Sequence, residues 1–215
     1  SGYLMNDDKD YVATLRLGEK RDTGDGEGKI IETKKVPDLS EKNVKETLKS
    51  FEGEISQIPP KYSAIKVNGK KLYEYARSGE EIEIKPRKVN IFEINLIEIK
   101  ENSITFKVHC SKGTYIRTLC EDIAEKLGTV GYMSSLRRTR VGNFTLDDVG
   151  KIISIEETLK NEPEYKLKDK ELSKFMNGVK IITNLKDGLV RVYDKDKFIG
   201  VGEIKDKELK RKIVV

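Results

Sequence analysis

The sequence predicts an α+β fold in which a mixed, mostly antiparallel sheet is flanked by helices and followed by a small C-terminal β module. Apolar and polar residues alternate along residues 10–18, as in a half-buried strand, and 88–100 and 103–110 are further candidate strands. Apolar residues recur at helical spacing in 39–51 and 116–127. Three short strand-like runs with tight turns close the chain, which predicts the β module.

Two features separate the first strands from the first helix. The glycine- and aspartate-rich stretch "RDTGDGEG" at 21–28 predicts a loop. It lacks the D-x-D-x-D-G spacing and the distal glutamate of a calcium loop, so we expect no metal there. Ser40 is the candidate N-cap of the helix that follows, and Val44, Leu48 and Phe51 lie on one helical face.

Residues 58–79 are basic and aromatic but poor in large aliphatic side chains, which indicates a projecting loop rather than core. Two prolines stiffen its entry, and Asn68-Gly69 is a turn signal. Leu72 and Tyr75 then indicate a short helix.

The second half of the chain holds the 116–127 helix and, in 134–150, a turn, a basic strand and a helix start. Around 162–170 the sequence becomes very polar, and we place a domain boundary there. The chain therefore divides into residues 1–165 and 166–215.

Composition limits the classes of partner. The 215 residues include 42 Lys and Arg against 37 Asp and Glu, a net charge of +5. This mild excess permits a polyanionic partner without requiring one, because local clustering matters more than the total. The clusters, each equally well explained as solvated surface, are Lys61, Lys66, Lys70 and Lys71, then "KPRK" at 85–88, then "LRRTR" at 136–140.

Cysteine and histidine usage disfavours metal and histidine-based chemistry. Cys110 and Cys120 form no CxxC pair and are expected to be free thiols in a reducing cytoplasm. His109 is the single histidine. No apolar run reaches membrane-spanning length, so a cytoplasmic location without a membrane partner is expected. The chain opens on "SGYLMNDDKDY" without an initiator Met, which indicates an internal starting point.

Several long sequence words occur in a fixed order along the chain. They are "DKDYVATLRLG", "RDTGDGEG", "IPPKYSAIKVNGKKLYEYAR", "HCSKGTYIRTL", "LRRTRVGNF" and "FIGVGEI". Together they resemble the bacterial tRNA pseudouridine-55 synthase family, TruB, over residues 1–215. The resemblance implies a pseudouridine-synthase-type sheet in 1–165, with a thumb-like insertion at about 58–88, and a PUA-like RNA-binding module in 166–215.

The resemblance implies an enzyme that isomerises uridine 55 in the T-loop of tRNA. The glycosidic bond breaks, the base turns, and it rejoins the ribose through carbon 5. The nucleotide must first be extruded from the stack, at a cost of a few kcal/mol. The site needs a carboxylate, a group that manages the carbon-5 proton, and exclusion of water. The T-arm of tRNA is the implied partner, and no metal or organic cofactor is implied.

Four residues match family active-site positions. Tyr11 matches the tyrosine that stacks on the target base and assists removal of the carbon-5 proton. Arg117 matches the arginine that pairs with the catalytic aspartate, and as a cation near a helix N-terminus it opposes the helix dipole unless an anion lies nearby. Tyr115 matches a further active-site aromatic residue, and Leu136 a residue that packs on the flipped base. By sequence alone, Tyr11 and Leu136 would more often be core residues, and a helix-entry role that covers the core suits Tyr115 nearly as well.

The thumb-like insertion is implied to clamp the tRNA arm. Its lysines would contact phosphates, which position RNA without reading bases. The implied RNA-binding residues are Lys61, Lys66, Lys70, Lys71, Lys112, Arg137 and Arg138.

The family nucleophile is an aspartate in a G-x-L-D-x-x-A-x-G motif that lies before the position of Tyr11. Here that position would precede residue 1, so we expect the printed chain to be catalytically inactive. "GNFTLDDVG" resembles the motif superficially, but Asp147 is better explained as an N-terminal helix acid. Asp7, Asp8 and Asp10 lie in the wrong motif. Absent strands would leave open sheet edges, which predicts a dimer or strand exchange.

Other functions remain open at this stage. A non-catalytic tRNA-binding module or tRNA-folding helper would use the same basic loop and β module without chemistry. A dyskerin-like relative that works with guide RNA would also fit, although the compact terminal module favours the stand-alone type. A structural protein with incidental basic loops would leave the ordered motifs unexplained.

Overall fold

A computed structural model describes residues 8–215, so Asp7 lies outside the described residues. Its contacts define one compact unit that ends at Val149 and a second formed by Gly150–Val215. The sequence-predicted boundary at 165 and 166 therefore falls inside the second unit. The physical reason is that Glu164–Lys166, in the polar stretch taken for a linker, forms a strand that pairs in parallel with Arg191, Val192 and Tyr193.

Among the described residues 8–149, the first unit contains ten strands and three α-helices. The strands are β1 (Lys9–Leu17), β2 (Glu19–Arg21), β3 (Ile30–Thr33), β4 (Gly53–Gln57), β5 (Lys66–Val67), β6 (Lys70–Lys71), β7 (Arg87–Lys100), β8 (Ser103–Cys110), β9 (Gly131–Val141) and β10 (Phe144–Thr145). The helices are α1 (Glu41–Lys49), α2 (Leu72–Ser78) and α3 (Ile116–Lys126). Six strands form the main sheet in the order β10-β9-β1-β8-β7-β4, with every pair antiparallel.

The predicted helices α1 and α3 are confirmed. The Ser40 hydroxyl caps α1 by accepting a hydrogen bond from the Asn43 backbone N–H at 3.2 Å. Val44 and Leu48 are buried against the sheet, while Phe51 is only half-buried. The apolar stripe of α3 joins the same core, which also holds Ala13, Leu15, Leu17, Ile104, Phe106 and Val108.

The register between β1 and β9 decides which residues share a face. Tyr11 lies opposite Arg138, and Ala13 lies opposite Leu136. Directly opposite residues project to the same side of a sheet. Ala13 is fully buried in the core with α3, so Tyr11, Leu136 and Arg138 lie on the helix side. Arg137, one position along, projects to the other side.

The insertion folds as a small hairpin followed by a helix, as the turn signal predicts. Strands β5 and β6 pair with each other, and α2 follows directly. Asn68 and Gly69 both have positive φ, 50° and 83°, as the primed turns of two-residue hairpins require. Leu72 is buried, although the rest of the segment contributes little to the core.

The second unit is a five-stranded sheet with two short helices. The strands are β11 (Glu164–Lys166), β12 (Ile181–Ile182), β13 (Gly188–Asp194), β14 (Lys197–Lys205) and β15 (Glu208–Val214), and the helices are α4 (Ile155–Thr158) and α5 (Glu171–Met176). The order is β11-β13-β14-β15-β12. Phe175, Val192 and Ile204 are central to its own core. The predicted α+β fold with a C-terminal PUA-like β module is confirmed. In the part of the chain that the structure describes, no helix could span a membrane.

Candidate active site

Arg117 is held at a junction of three chain segments. It lies in the first turn of α3, and its guanidinium Nη1 donates to the Thr23 carbonyl at 3.0 Å and to Asp25 Oδ2 at 3.1 Å. Its Nη2 donates to the Tyr62 carbonyl at 2.7 Å. The side chain thus joins α3 to the 21–28 loop and to the base of the thumb-like insertion. Asp25 supplies the anion that a cation at a helix N-terminus requires.

Asp25 is the site residue that sequence reasoning missed. Its second oxygen, Oδ1, accepts from the Thr23 hydroxyl at 2.7 Å and from the Glu27 backbone N–H at 3.3 Å. Both carboxylate oxygens are therefore engaged. The loop depends on Gly28, because a Cβ there would clash with the Thr23 hydroxyl and would lie 2.9 Å from the Thr23 backbone nitrogen. The available signal was the sequence "RDTGDGEG", which was considered as a metal loop and as a family motif, without a role for Asp25.

The helix side of the main sheet brings Tyr11, Leu136 and Arg138 together across β1 and β9. Leu136 is 43% exposed, so it is not a core residue, although it is a leucine in a strand of the main sheet. Tyr11 is half-buried. Burial raises the pKa of its hydroxyl above the usual value, the nearby Cys110 thiol adds to this, and the Arg138 guanidinium opposes it. The phenol is therefore neutral near pH 7, with a cation beside it that favours its ionised form.

Tyr115 begins α3 as its N-cap residue. Its backbone is extended, with φ −98° and ψ 108°, and its side chain makes no capping hydrogen bond. The preceding turn passes through Gly113 at φ +81°, a conformation that favours glycine, which explains the sequence-predicted turn. Gln57, at the end of β4, contacts the Tyr115 backbone with both ends of its side-chain amide.

The predicted RNA-binding residues differ in their surroundings. Lys61, Lys66, Lys112 and Arg137 are exposed. Lys70 instead pairs with Glu80 at 2.7 Å and lies 4.5 Å from the centre of the Tyr75 ring. Lys71 donates to the Tyr73 hydroxyl at 3.2 Å. These contacts lie within the insertion, and the Glu80 carboxylate partly offsets the charge of Lys70.

The other acidic residues named from the sequence have different surroundings from those of Tyr11. Asp10 is adjacent to Tyr11 in β1 and therefore projects to the opposite face, where it accepts from Arg140 at 2.8 Å. Arg140 also binds Asp8 at 3.0 Å and, together with His109, lowers the pKa of Asp8 to about 2. Asp147 lies in a short 3-10 turn capped by Thr145, as expected for an N-terminal acid.

The two cysteines of the chain are buried thiols. Cys110 and Cys120 are free and buried, and burial raises the pKa of the Cys110 thiol to about 11. Burial also raises the pKa of the Cys120 thiol strongly. Within the described residues 8–215, no group of three or more His, Cys, Asp or Glu side chains could hold a metal ion.

The sheet face carries a half-buried phenol and an exposed leucine, with a basic insertion in the same unit. These groups suit a planar base and an RNA backbone, and the class they define is that of an RNA-modifying α+β protein.

Comparison with known proteins makes the assignment specific. Residues 1–116 match the TruB family pseudouridylate synthase (N terminal domain). Residues 117–180 match the tRNA pseudouridylate synthase B C-terminal domain, and 163–215 match Pseudouridine synthase II TruB, C-terminal. The chain belongs to the TruB family of pseudouridine synthases.

Relatives cover almost the whole chain. It is 42% identical over 227 residues to "tRNA pseudouridine synthase B" of Clostridium kluyveri, covering 97% of this chain and 78% of the relative. It is 43% identical over 216 residues to the protein of the same name from Hydrogenovibrio crunogenus, covering 94% and 71%. Among solved structures, a chain of the "Crystal Structure of a Cbf5-Nop10-Gar1 Complex" superposes with a TM-score of 0.68. The superposition covers 99% of this chain and 68% of the Cbf5 complex chain at 23% identity, which establishes a shared fold.

Proposed function

We propose that this protein converts a uridine in tRNA to pseudouridine, and that the target is uridine 55 in the T-loop. Its relatives are named tRNA pseudouridine synthase B, and the chain belongs to that family. The observation that carries the proposal is the fixed Arg117–Asp25 pair in the same unit as the sheet face of Tyr11 and Leu136. We place the reaction in the cytoplasm, where tRNA is modified.

Binding begins with extrusion of the nucleotide. Unstacking costs a few kcal/mol, and packing of the base on Leu136 and the Tyr11 ring offsets part of this cost. Leu136 suits this role because it is exposed in the absence of RNA, so its apolar surface leaves water only when a base covers it. The lysines of the insertion and Lys112 contact phosphates, and Arg138 contributes a cation beside Tyr11.

The isomerisation balances without any added atom. The bond from N1 to C1′ of uridine breaks, the bond from C5 to C1′ forms, C5 loses a proton and N1 gains one. The Tyr11 hydroxyl assists the transfer as a relay: it accepts the proton from C5 while its own proton moves on towards N1, so the phenol ends neutral, with the Arg138 guanidinium beside its oxygen. Arg117 holds the sugar and phosphate side of the site and orients the carboxylate that attacks.

Asp25 is proposed to orient Arg117 rather than to attack, because both of its oxygens already accept hydrogen bonds. The proposed activity is tested with the gene product that contains this chain. It is incubated with an unmodified tRNA transcript, and pseudouridine is mapped by chemical modification and primer extension.

The expected result is one new pseudouridine, in the T-loop. A transcript with cytidine at that position is the matched control and should give no signal. Tight tRNA binding without conversion would refute the enzyme and support the non-catalytic tRNA-binding alternative. Conversion at a site outside the T-arm would refute the proposed target while leaving the reaction intact.

A dimer or strand exchange is proposed to form through the edge of β7. Strand β4 pairs with β7 only from Arg87 to Ile91, so the rest of β7 has no neighbouring strand on that side among the described residues. Cavities of about 470 Å³ lie beside Leu96, between β7 and α1. Light scattering of residues 1–215 should report a dimer that Leu96→Lys reduces. A monomer at high protein concentration would count against the proposal.

A further inference from the structure

Gln57 is a buried polar residue whose side-chain amide makes two hydrogen bonds to one residue that is distant in the sequence. Only 1% of it is exposed. Its Nε2 donates to the Tyr115 carbonyl at 3.3 Å, and its Oε1 accepts from the Tyr115 N–H at 3.0 Å. The two residues are 58 positions apart. A buried amide needs partners, but two bonds to a single backbone residue fix that residue in position as well as in orientation.

The residue that Gln57 holds is the one that begins α3. Tyr115 has no side-chain cap of its own, and the Gln57 amide instead satisfies the Tyr115 N–H, one of the N–H groups that a helix start leaves without an intrahelical partner, and so fixes the entry to the helix. A second bond ties the same segments together, because the Thr118 hydroxyl donates to the Ile58 carbonyl at 3.3 Å. The base of the insertion is therefore attached to the first turn of α3.

Arg117 adds a third connection between the start of α3 and the insertion. It lies in the same first turn of α3, and its acceptor Tyr62 lies in the insertion segment that begins beyond Gln57. The same guanidinium also reaches Asp25. A shift of the helix start relative to β4 would therefore change the distance from Arg117 to both acceptors at once.

We propose that Gln57 is a positioning residue for the pseudouridine reaction: its amide holds the backbone of Tyr115 so that Arg117 stays bound to both Asp25 and the Tyr62 carbonyl. Gln57 is buried and acts through Arg117 without contacting RNA. The proposal rests on the proposed function for its catalytic consequence. Its structural part, the control of Arg117 by Gln57, stands on the contacts alone.

Gln57→Met is the variant that tests this, because methionine keeps the length and volume of the side chain while removing both hydrogen bonds. In the gene product that contains this chain, kcat for tRNA should fall about 10- to 100-fold, as expected when a site is misplaced by about 1 Å. The KM and the dissociation constant for tRNA should stay within about twofold, because no RNA contact is lost.

A double-mutant cycle separates positioning from general destabilisation. If Gln57 acts through Arg117, Gln57→Met should cause no further loss of kcat in an Arg117→Ala background. The matched control is Leu48→Ala, a core cavity on α1, whose loss of stability should leave the kcat of the folded protein near the wild-type value. Additive losses of kcat in the cycle would overturn the proposal, as would a wild-type kcat in Gln57→Met.

Hydrogen exchange decides the structural part even if the protein never converts tRNA. The Glu27 N–H depends on Asp25, and Asp25 in turn binds Arg117. In Gln57→Met the amides of Tyr115 and Glu27 should both exchange faster, while amides of the β14 strand keep their wild-type rates. Faster exchange at Tyr115 with an unchanged Glu27 would show that Gln57 does not control Arg117. Failure of wild-type turnover with the expected exchange would refute the proposed function alone.

Discussion

Replacement of Asp25 by asparagine isolates the charge of the Arg117–Asp25 pair. Asparagine keeps the size of the side chain and leaves one oxygen for the Thr23 hydroxyl and the Glu27 N–H. Its NH₂ group then faces the Arg117 guanidinium, where the carboxylate now accepts at 3.1 Å. Arg117 keeps its two carbonyl acceptors, at 3.0 Å and 2.7 Å, so the perturbation removes one of three contacts.

The magnitude follows from the environment of the pair. The Arg117 and Asp25 side chains are 21% and 25% exposed, so solvent screens the pair only in part. A hydrogen bond to a charged group contributes about 1.5–3 kcal/mol, and we take about 2 kcal/mol here. If the pair orients Arg117 in the transition state, this corresponds to roughly a 30-fold loss of kcat/KM, because about 1.4 kcal/mol is a factor of ten.

Single-turnover kinetics on a T-arm transcript would measure the loss, with urea unfolding to record stability. Asp22→Asn is the matched control: it is the same substitution in the same loop, where Asp22 Oδ1 accepts from the Lys29 N–H at 2.8 Å and asparagine can still accept. We expect the control to lie within about threefold of the wild type. Equal losses in both variants would mean that loop integrity, and not the charge on Arg117, is what matters, and would refute the reasoning.

Three further outcomes are expected. Leu136→Ala should cost under about 1 kcal/mol of stability, because the side chain is 43% exposed, yet it should lower single-turnover rates at saturating enzyme; unchanged rates would remove Leu136 from the base-binding face. Lys61→Ala should weaken tRNA binding and reduce the slope of log K against log salt by about one, and an unchanged slope would remove Lys61 from the phosphate contacts. Burial, with Glu125 nearby, raises the pKa of Asp122 to about 6, so its protonated form favours folding and that stability is lost as pH rises from about 4 through 6. Asp122→Asn should therefore raise the unfolding midpoint at pH 8 but not at pH 4, and a shift of equal size at both pH values would contradict this.

The sequence alone determined most of the fold and the family. Local patterns suffice for α1, α3 and the long strands, because burial imposes a period of two or of 3.6 on each of them. The ordered motifs also carried the family resemblance, because a glycine turn such as the one at Gly113 leaves a local signature. Short elements were not predicted from the sequence. Strands β11 and β12 and helix α5 have two to six residues each, too few for a hydrophobic period to be visible.

Only the tertiary structure decided how the site is assembled. Asp25 and Arg117 are 92 positions apart, and Gln57 and Tyr115 are 58 apart, so no local pattern could pair them. Side chains alternate between the two faces of a strand, so Arg137 and Arg138 must project to opposite faces of the sheet. Only the β1–β9 register shows that Arg138 is the one beside Tyr11. The physical reason is the same in each case: hydrogen bonds and sheet pairing act over a few ångströms in space, whatever the distance along the chain.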